Sequence, residues 1–327
     1  MSAHRIEDAW KSVDPLGEAL HSMRMSGTFY ARSELSEPWG MDLPAMPGCL
    51  LFHVVTDGEC WVESPKIGRK KLKTGDFALI PHGRGHCLKS GPKAEVVDLF
   101  DQPREMVSPR YELMKFGGGG KECRLICGAV RVEDPAALGL IEALPEMILM
   151  RTDTPGNEWL IGMIRLMIAE AREMRPGGDT VITRVSDILV VQAIRHWLEH
   201  DSLARTGWLG ALRDAQVGKA IALVHRYPTR PWSVRDLAES VGLSRSAFAS
   251  RFMELVGEPP MRYVRQWRFR VAVNWLRETD QSLAEMAEKL DYQSEAAFNR
   301  AFKTFTGKTP GMVRREARKS VSLRATA

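Results

Sequence analysis

Long apolar runs are missing from this 327-residue chain. No stretch approaches the ~20 consecutive apolar residues that a membrane-spanning helix needs. The opening segment, Met1 to Pro15, has no apolar core of the kind that directs secretion. The expectation is a cytoplasmic protein with no membrane partner. Cysteine is also sparse. Cys49, Cys60, Cys87, Cys123 and Cys127 are odd in number, lie in the first 130 residues, and match neither zinc-ribbon nor disulfide-scaffold spacing. Reduced core thiols are expected. Cys123 and Cys127, four apart in "CRLIC", would share one face of a strand, either as core packing or as a redox pair.

Net positive charge is absent from the first two thirds and concentrated in the last. From Ala211 onward there are 21 Lys and Arg against 12 Asp and Glu, an excess of nine, so the chain's net +5 leaves −4 for residues 1–210. Such a basic third suits a polyanionic partner.

That same third says nearly the same thing twice. "FASRFMELVGEPP" (Phe248 to Pro260) and "FNRAFKTFTGKTP" (Phe298 to Pro310) put Phe, Phe, Gly and Pro at the same offsets. Ahead of the first, Ser233 and Asp236 form a capping-box pattern, and Val234, Leu237, Ala238 and Val241 form an apolar stripe that Gly242 ends. Ser244 then caps a second helix with Phe248, Phe252 and Leu255 inward. The second copy repeats these devices with Ser282 and Glu285, then Met286, Ala287 and Leu290, then Ser294 and Phe298, Phe302 and Phe305. Each unit is a helix-turn-helix pattern closed by Gly257 or Gly307, with Pro260 or Pro310 opening the next helix. Between them a long helix is expected, with Val264, Trp267, Val271 and Trp275 inside. It holds two reading helices apart, as successive major-groove segments require. If the phenylalanines point inward, the groove-facing positions are Arg245, Ser246, Ala249 and Ser250 in the first copy and Glu295, Ala296, Asn299 and Arg300 in the second. Only Arg245 is long in the first set, so the second copy is expected to carry more base contact. Candidate phosphate contacts are Arg262, Arg265, Arg268, Lys303 and Arg314.

Residues 49–100 alternate like strands, and "GDFALIPHGRGH" fits the spacing of the second cupin β-barrel motif through Gly75, Pro81, Gly83 and His86. The first motif of metal-dependent cupins is incomplete: His53 has Val55 where a second His would stand, and no well-placed carboxylate follows. No metal and no cofactor are expected. The two imidazoles read as satisfied core or pocket groups, and Phe52, His53, Trp61, His82 and His86 are the candidate lining of a small-molecule effector pocket. The chain then turns helical in two long segments, in the second of which Val181, Ile182, Val185, Ile188, Leu189, Ala193 and Trp197 form the stripe. Packing on the barrel fits that stripe. A linker is read at residues 201–211.

The C-terminal pattern resembles the AraC/XylS transcriptional regulators. The resemblance covers about 105 residues and rests on "LAESVGLSRSAFASRF", on Trp267, Arg268 and Ala272 in the long helix, and on Phe298, Arg300, Phe302, Lys303, Gly307, Thr309 and Pro310. It implies an α+β protein with a cupin-like sensor barrel (1–133), a helical dimerisation region (134–203) and an all-α DNA-binding domain with two helix-turn-helix motifs (204–327). The implied partners are double-stranded DNA, RNA polymerase, a small-molecule effector and a second copy of the chain, and no catalysis is expected. The rival reading is a metal-dependent cupin enzyme carrying a DNA-binding domain.

Overall fold

The computed structural model describes residues 25–132, 141–173, 175–201, 210–212 and 214–315. The expected boundaries at 133/134 and 203/204, and most of the linker at 201–211, lie outside the described residues. Two compact units emerge, one of residues 25–132 with 141–200 and one of residues 210–315. The protein is α+β, sheet-rich in the first unit and helical in the second.

In the first unit β1 (Met25–Ser36), β3 (Cys49–Asp57), β6 (Phe77–Ile80), β9 (Arg104–Ser108), β10 (Tyr111–Gly117), β11 (Glu122–Val132) and β12 (Ile148–Met150) form a seven-stranded sheet ordered β12-β6-β3-β11-β1-β10-β9. A second sheet holds β2 (Gly40–Leu43), β4 (Glu59–Ser64), β5 (Gly68–Lys73), β7 (His86–Lys89) and β8 (Val97–Asp98), ordered β5-β4-β7-β2-β8. Strand periodicity of two sends alternate residues into a shared interior. Ala31, Leu35, Leu51 and Val55 enter from the first sheet, and Met41, Val62, Leu72 and Leu88 from the second. The turn inside "PHGRGH" has a chemical reason. Gly83 takes a φ of +56°, and a Cβ there would collide with the carbonyl oxygens of Met46 and Cys49.

Two helices, α1 (Glu158–Glu173) and α2 (Gly178–His200), belong to the same unit. The end of α1 is tied down by Arg32 Nη1 and Tyr111 Oη, which both donate to the Ala171 carbonyl at 3.2 and 3.0 Å. That satisfies one of the carbonyls a helix C-terminus leaves open. On α2, Ile182, Val185, Leu189, Ala193 and Trp197 are buried as the stripe requires. Ile188 is a departure: it is 47 % exposed, as are Ile161 and Leu166 of α1 to a lesser degree.

The second unit begins with α3 (Val217–Arg226). It continues with α4 (Val234–Ser240) and α5 (Arg245–Val256), the long α6 (Pro260–Glu278), and α7 (Leu283–Lys289) with α8 (Glu295–Thr306). Both capping boxes form: Ser233 with Asp236 and Ser282 with Glu285 exchange reciprocal hydrogen bonds. Ser244 and Ser294 cap α5 and α8, and Gly257 and Gly307 end them in the left-handed region. The second turn is one residue longer than the first, and a different residue type takes its left-handed position. Gly242 at φ +71° corresponds in place to Asp291 at φ +67°, the one described non-glycine residue at positive φ.

Phe252 packs against both Phe248 and Tyr263 in the first copy, while Phe298 and Phe302 pack against Phe269 in the second. Three expectations need correction. Phe305 is 39 % exposed, stacking only one face on Phe269. Val271 and Trp275 are half-buried, and Ala272 and Leu276 take the interior instead. The reason is that α6 serves two cores in succession, so its buried face rotates along its length of about 28 Å. The third is Arg268, read as a phosphate contact. It is 8 % exposed, and its guanidinium donates to the carbonyls of Pro228 (3.0 Å), Arg230 (2.8 Å) and Leu290 (3.2 Å), with Asp291 3.7 Å away.

Arg268→Ala would strip donors from three carbonyls on both sides of α6. The expected loss is about 2–4 kcal/mol of stability in this unit, and Arg268→Lys should recover little because an ammonium cannot reproduce the planar fork. Denaturant unfolding of the variants checks this; wild-type stability in Arg268→Lys would remove the strut from the account.

Candidate functional site

The N-terminal ends of α5 and α8 carry the residues singled out for DNA. On α5, Arg245, Ser246 and Ser250 are exposed and Ala249 is half-buried, because Phe248 and Phe252 hold the opposite face. On α8, Glu295, Ala296 and Arg300 are exposed for the same reason. Asn299 stands differently: it is half-buried, and its Oδ1 is shut off from solvent with no hydrogen-bond partner. Among the phosphate candidates Arg262, Arg265 and Lys303 are exposed, Arg262 lying 3.4 Å from Glu258, just ahead of α6. Arg314 is half-buried, and its guanidinium donates to the Gln281 carbonyl. Arg268 belongs to the interior, as described above.

In the first unit the five pocket candidates separate. Strand alternation decides Phe52 and Trp61. With His53 inward, its neighbour Phe52 must face the other side of β3, where it packs against Tyr30 and Phe77. Cys60 and Val62 of β4 are inward, so Trp61 is outward, beneath the Lys71 ammonium at 5.7 Å. His82 is half-buried with its Nε2 hydrogen-bonded to the Leu144 carbonyl at 3.0 Å. His53 and His86 do meet: their Nε2 atoms are 2.6 Å apart, and both rings are buried. The residue that sequence reading missed is Cys127, whose Sγ lies 3.0 Å from His53 Nδ1. The register β3–β11 pairs His53 directly with Cys127, a pairing that only the fold reveals. These three groups form a buried polar chain in an apolar interior, beside a void of about 10 Å³ that Ser33 also lines.

The spacing is that of a hydrogen bond. Two imidazole nitrogens bound to one tetrahedral zinc at ~2.0–2.1 Å would lie about 3.3 Å from each other. Among the described residues no group of three or more His, Cys, Asp or Glu is disposed to hold a metal ion. The "CRLIC" cysteines do share the barrel interior. Burial pushes the Cys127 thiol up, and a hydrogen bond with Cys123 followed by burial pushes Cys60 well up. Thiols held protonated are poor nucleophiles, which favours core packing over a redox pair. Space of ligand size is found away from this chain of groups. A groove of about 570 Å³ opens between the β2–β3 connection, the β4–β5 turn and the start of β7, and His86 is part of its wall.

Residues 14–199 match the family described as Cupin, and residues 237–316 match the family described as Helix-turn-helix domain. An AraC-like transcription regulator of Streptomyces lividans is 31 % identical over 308 residues, which span 93 % of this chain and 98 % of that protein. The HTH-type transcriptional regulator AlkR of Acinetobacter baylyi is 27 % identical over 310 residues, covering 93 % of this chain and all of the relative. A crystal structure of the DNA-binding domain of AdpA with a target DNA is 25 % identical, covering 33 % of this chain and 96 % of that one at a TM-score of 0.31.

The histidine pair has a measurable consequence. Burial holds His86 down to about 4 from 6.5, and burial with the neighbouring ring holds His53 well below 6.5. Both stay neutral when folded, whereas the unfolded chain takes up protons as pH falls through about 6.5. For His86 the stabilisation is therefore full above that pH and lost on the way down to about 4, at up to ~1.4 kcal/mol per pH unit, and His53 adds a loss of the same sign. Thermal melts of the chain at successive pH values should show this decline, and His86→Asn should lessen it while His53 keeps the remainder; a profile level across the window would contradict the assignment.

Proposed function

Because the chain belongs to the AraC-like transcription regulators that join a cupin domain to a helix-turn-helix domain, we propose that it binds specific DNA sites through the paired helices α5 and α8. The coarser statement, a DNA-binding transcription regulator, follows from membership. The observation that carries the finer one is the exposed, capped start of each helix, offered on a pair of cores that α6 and Arg268 join. Helix N-termini and exposed cations hold phosphates, while side chains at the same ends read base edges. Arg262, Arg265 and Lys303 are the proposed phosphate contacts.

The two readers are unequal in this proposal. Arg300 is the long, exposed side chain of α8, able to make the bidentate pairing with guanine, whereas α5 offers Ser246, Ala249 and Ser250 beside Arg245. The first copy then works chiefly through phosphate contact and groove shape. Asn299 contributes after its side chain turns outward from its buried rotamer.

The cupin unit is the proposed sensor of a small-molecule effector, and α1 and α2 the proposed pairing face with a second copy. The exposed Ile161, Leu166 and Ile188 support the latter. Recruitment or exclusion of RNA polymerase is the proposed output. No helix among the described residues is long and apolar enough to cross a membrane.

Binding of the full chain to a library of single-base operator variants tests the assignment. Arg300→Ala should cost ~1–3 kcal/mol and relax preference at one base pair, with Ser246→Ala and Ser250→Ala each costing less. Uniform weakening on all sequences by Arg300→Ala would reject α8 as the principal reader. In the same assay affinity should fall linearly in log–log form with salt, and Arg265→Ala should reduce the slope by about one; an unchanged slope would remove Arg265 from the phosphate set.

A further inference from the structure

The two sheets of the first unit leave a seam. β8 and β9 are the last strands of their sheets, each hydrogen-bonded on one side only among the described residues, and residues 99–103 are all that separates them in the chain. Strand register shows that the interior is uncovered there. Met106, Glu112, Ala31, Cys127 and His53 are paired in turn across β9, β10, β1, β11 and β3, so they share one face, and Ala31 fixes that face as the interior. Met106 is nevertheless 60 % exposed, and Phe100, in the link between the two edges, is 53 % exposed. Glu112 is the unassigned group of this row. It is 9 % exposed, and among the described residues neither a hydrogen bond nor an ion pair reaches its carboxyl group. Burial pushes that carboxyl up, opposed only in part by the charge of Arg104. Farther in, the void of about 10 Å³ is lined by Ala31 and Met114, the neighbours of Glu112 across and along the sheet, and by Ser33, whose buried Oγ has no hydrogen-bond partner. A buried acid and a buried hydroxyl, both unpartnered beside an opening, call for a polar ligand.

We propose that this seam takes a small hydrophobic amine as the effector, its ammonium paired with Glu112 and its hydrocarbon running over Ala31 towards Ser33. The proposal rests on the sensor reading above and names its ligand class. The chemistry of the opening selects a cation. A carboxylate can only accept hydrogen bonds, and a buried one is completed by a positively charged donor. The Phe100 ring at the same edge already holds a cation, the Arg104 guanidinium at 5.1 Å, and can attract a second in its place. An organic acid would meet the Glu112 charge and be turned away.

Room for the hydrocarbon comes from side chains that yield. Between Glu112 and Cys127, two strand spacings or roughly 9.5 Å apart, the row carries only the methyl group of Ala31. Met41 and Met114 close the void, and unbranched thioethers rearrange at less cost than branched side chains. A tail that enters the void reaches the wall formed by His53 and Cys127, so the polar chain at the centre of the barrel senses whether the void is filled. Arg104 is the internal rival of the ligand. It stands in register with Met114 on the same face of the sheet, and its charge opposes a second cation at Glu112.

The test is calorimetric titration of the full chain at neutral pH with hexylamine and with benzylamine, set against hexanol, benzyl alcohol, hexanoate and benzoate. At least one amine should bind saturably at millimolar concentration or below, and its neutral and anionic counterparts roughly tenfold more weakly or worse. Glu112→Gln keeps the shape and removes the charge, and should weaken the amine roughly tenfold or more. Arg104→Gln, at an exposed edge, removes the rival cation and should tighten the amine roughly twofold or more. The series of amine, alcohol and acid on the unaltered chain keeps the test independent of how the Glu112 variant folds. No saturable binding of either amine, equal binding of the alcohols or acids, unchanged affinity in Glu112→Gln, or affinity not raised in Arg104→Gln would overturn the proposal. Failure of the sensor reading is separate: the amine would bind with this charge preference and leave the affinity of the chain for DNA unchanged.

Discussion

Everything the DNA-binding unit does depends on one buried cation. A helix-turn-helix of this size has a small core, and two of them joined only by a helix would swing. Arg268 prevents that by donating to Pro228 and Arg230 on one side and Leu290 on the other, so the start of the first copy and the end of α7 are held by a single rigid fork. A guanidinium can do this because it is planar, always charged and multiply donating. The carbonyls it serves are those that turns and helix ends leave open. The nearby Asp291 adds opposite charge at the left-handed turn of the second copy.

The cupin unit is governed by a different constraint, the alternation of strands. It forces His53, Leu51 and Val55 to one side of β3 and Leu50, Phe52 and Val54 to the other, and all are buried because helices and strands cover both faces. A polar ring sent into such an interior must find partners there, and His53 finds two. Its hydrogen bonds to His86 and Cys127 use both nitrogens, and His86 Nδ1 is buried with no hydrogen-bond partner among the described residues.

What was legible in the sequence follows from how local the physics is. Capping boxes, N-cap serines and left-handed glycines are decided within four residues, and Ser233, Ser282, Gly257 and Gly307 stand as read. The inward phenylalanines Phe248, Phe252, Phe298 and Phe302 were legible for the same reason, since a 3.6-residue period needs no tertiary information. Arg268 was misread because charge alone suggests solvent, and nothing local announces three distant carbonyls. Phe52 and Trp61 were grouped with His53 by composition, although the period of two already separates Phe52 from His53. Cys127 was invisible as a site residue, since its pairing with His53 spans 74 positions and exists only through strand register.

The long helix α6 has an implication for how such a protein can evolve its targets. A dimer held by a flexible connection can tolerate a base pair gained or lost between half-sites. Here the separation and the rotational phase of the two proposed readers are set by one continuous helix from Pro260 to Glu278, anchored at its middle. One inserted base pair rotates the far segment of a DNA duplex by about 34°, an error that no side-chain rearrangement can absorb. New binding sites can therefore arise by substitution within each segment but not by changes in spacing, and regulated genes would be gained or lost one base identity at a time.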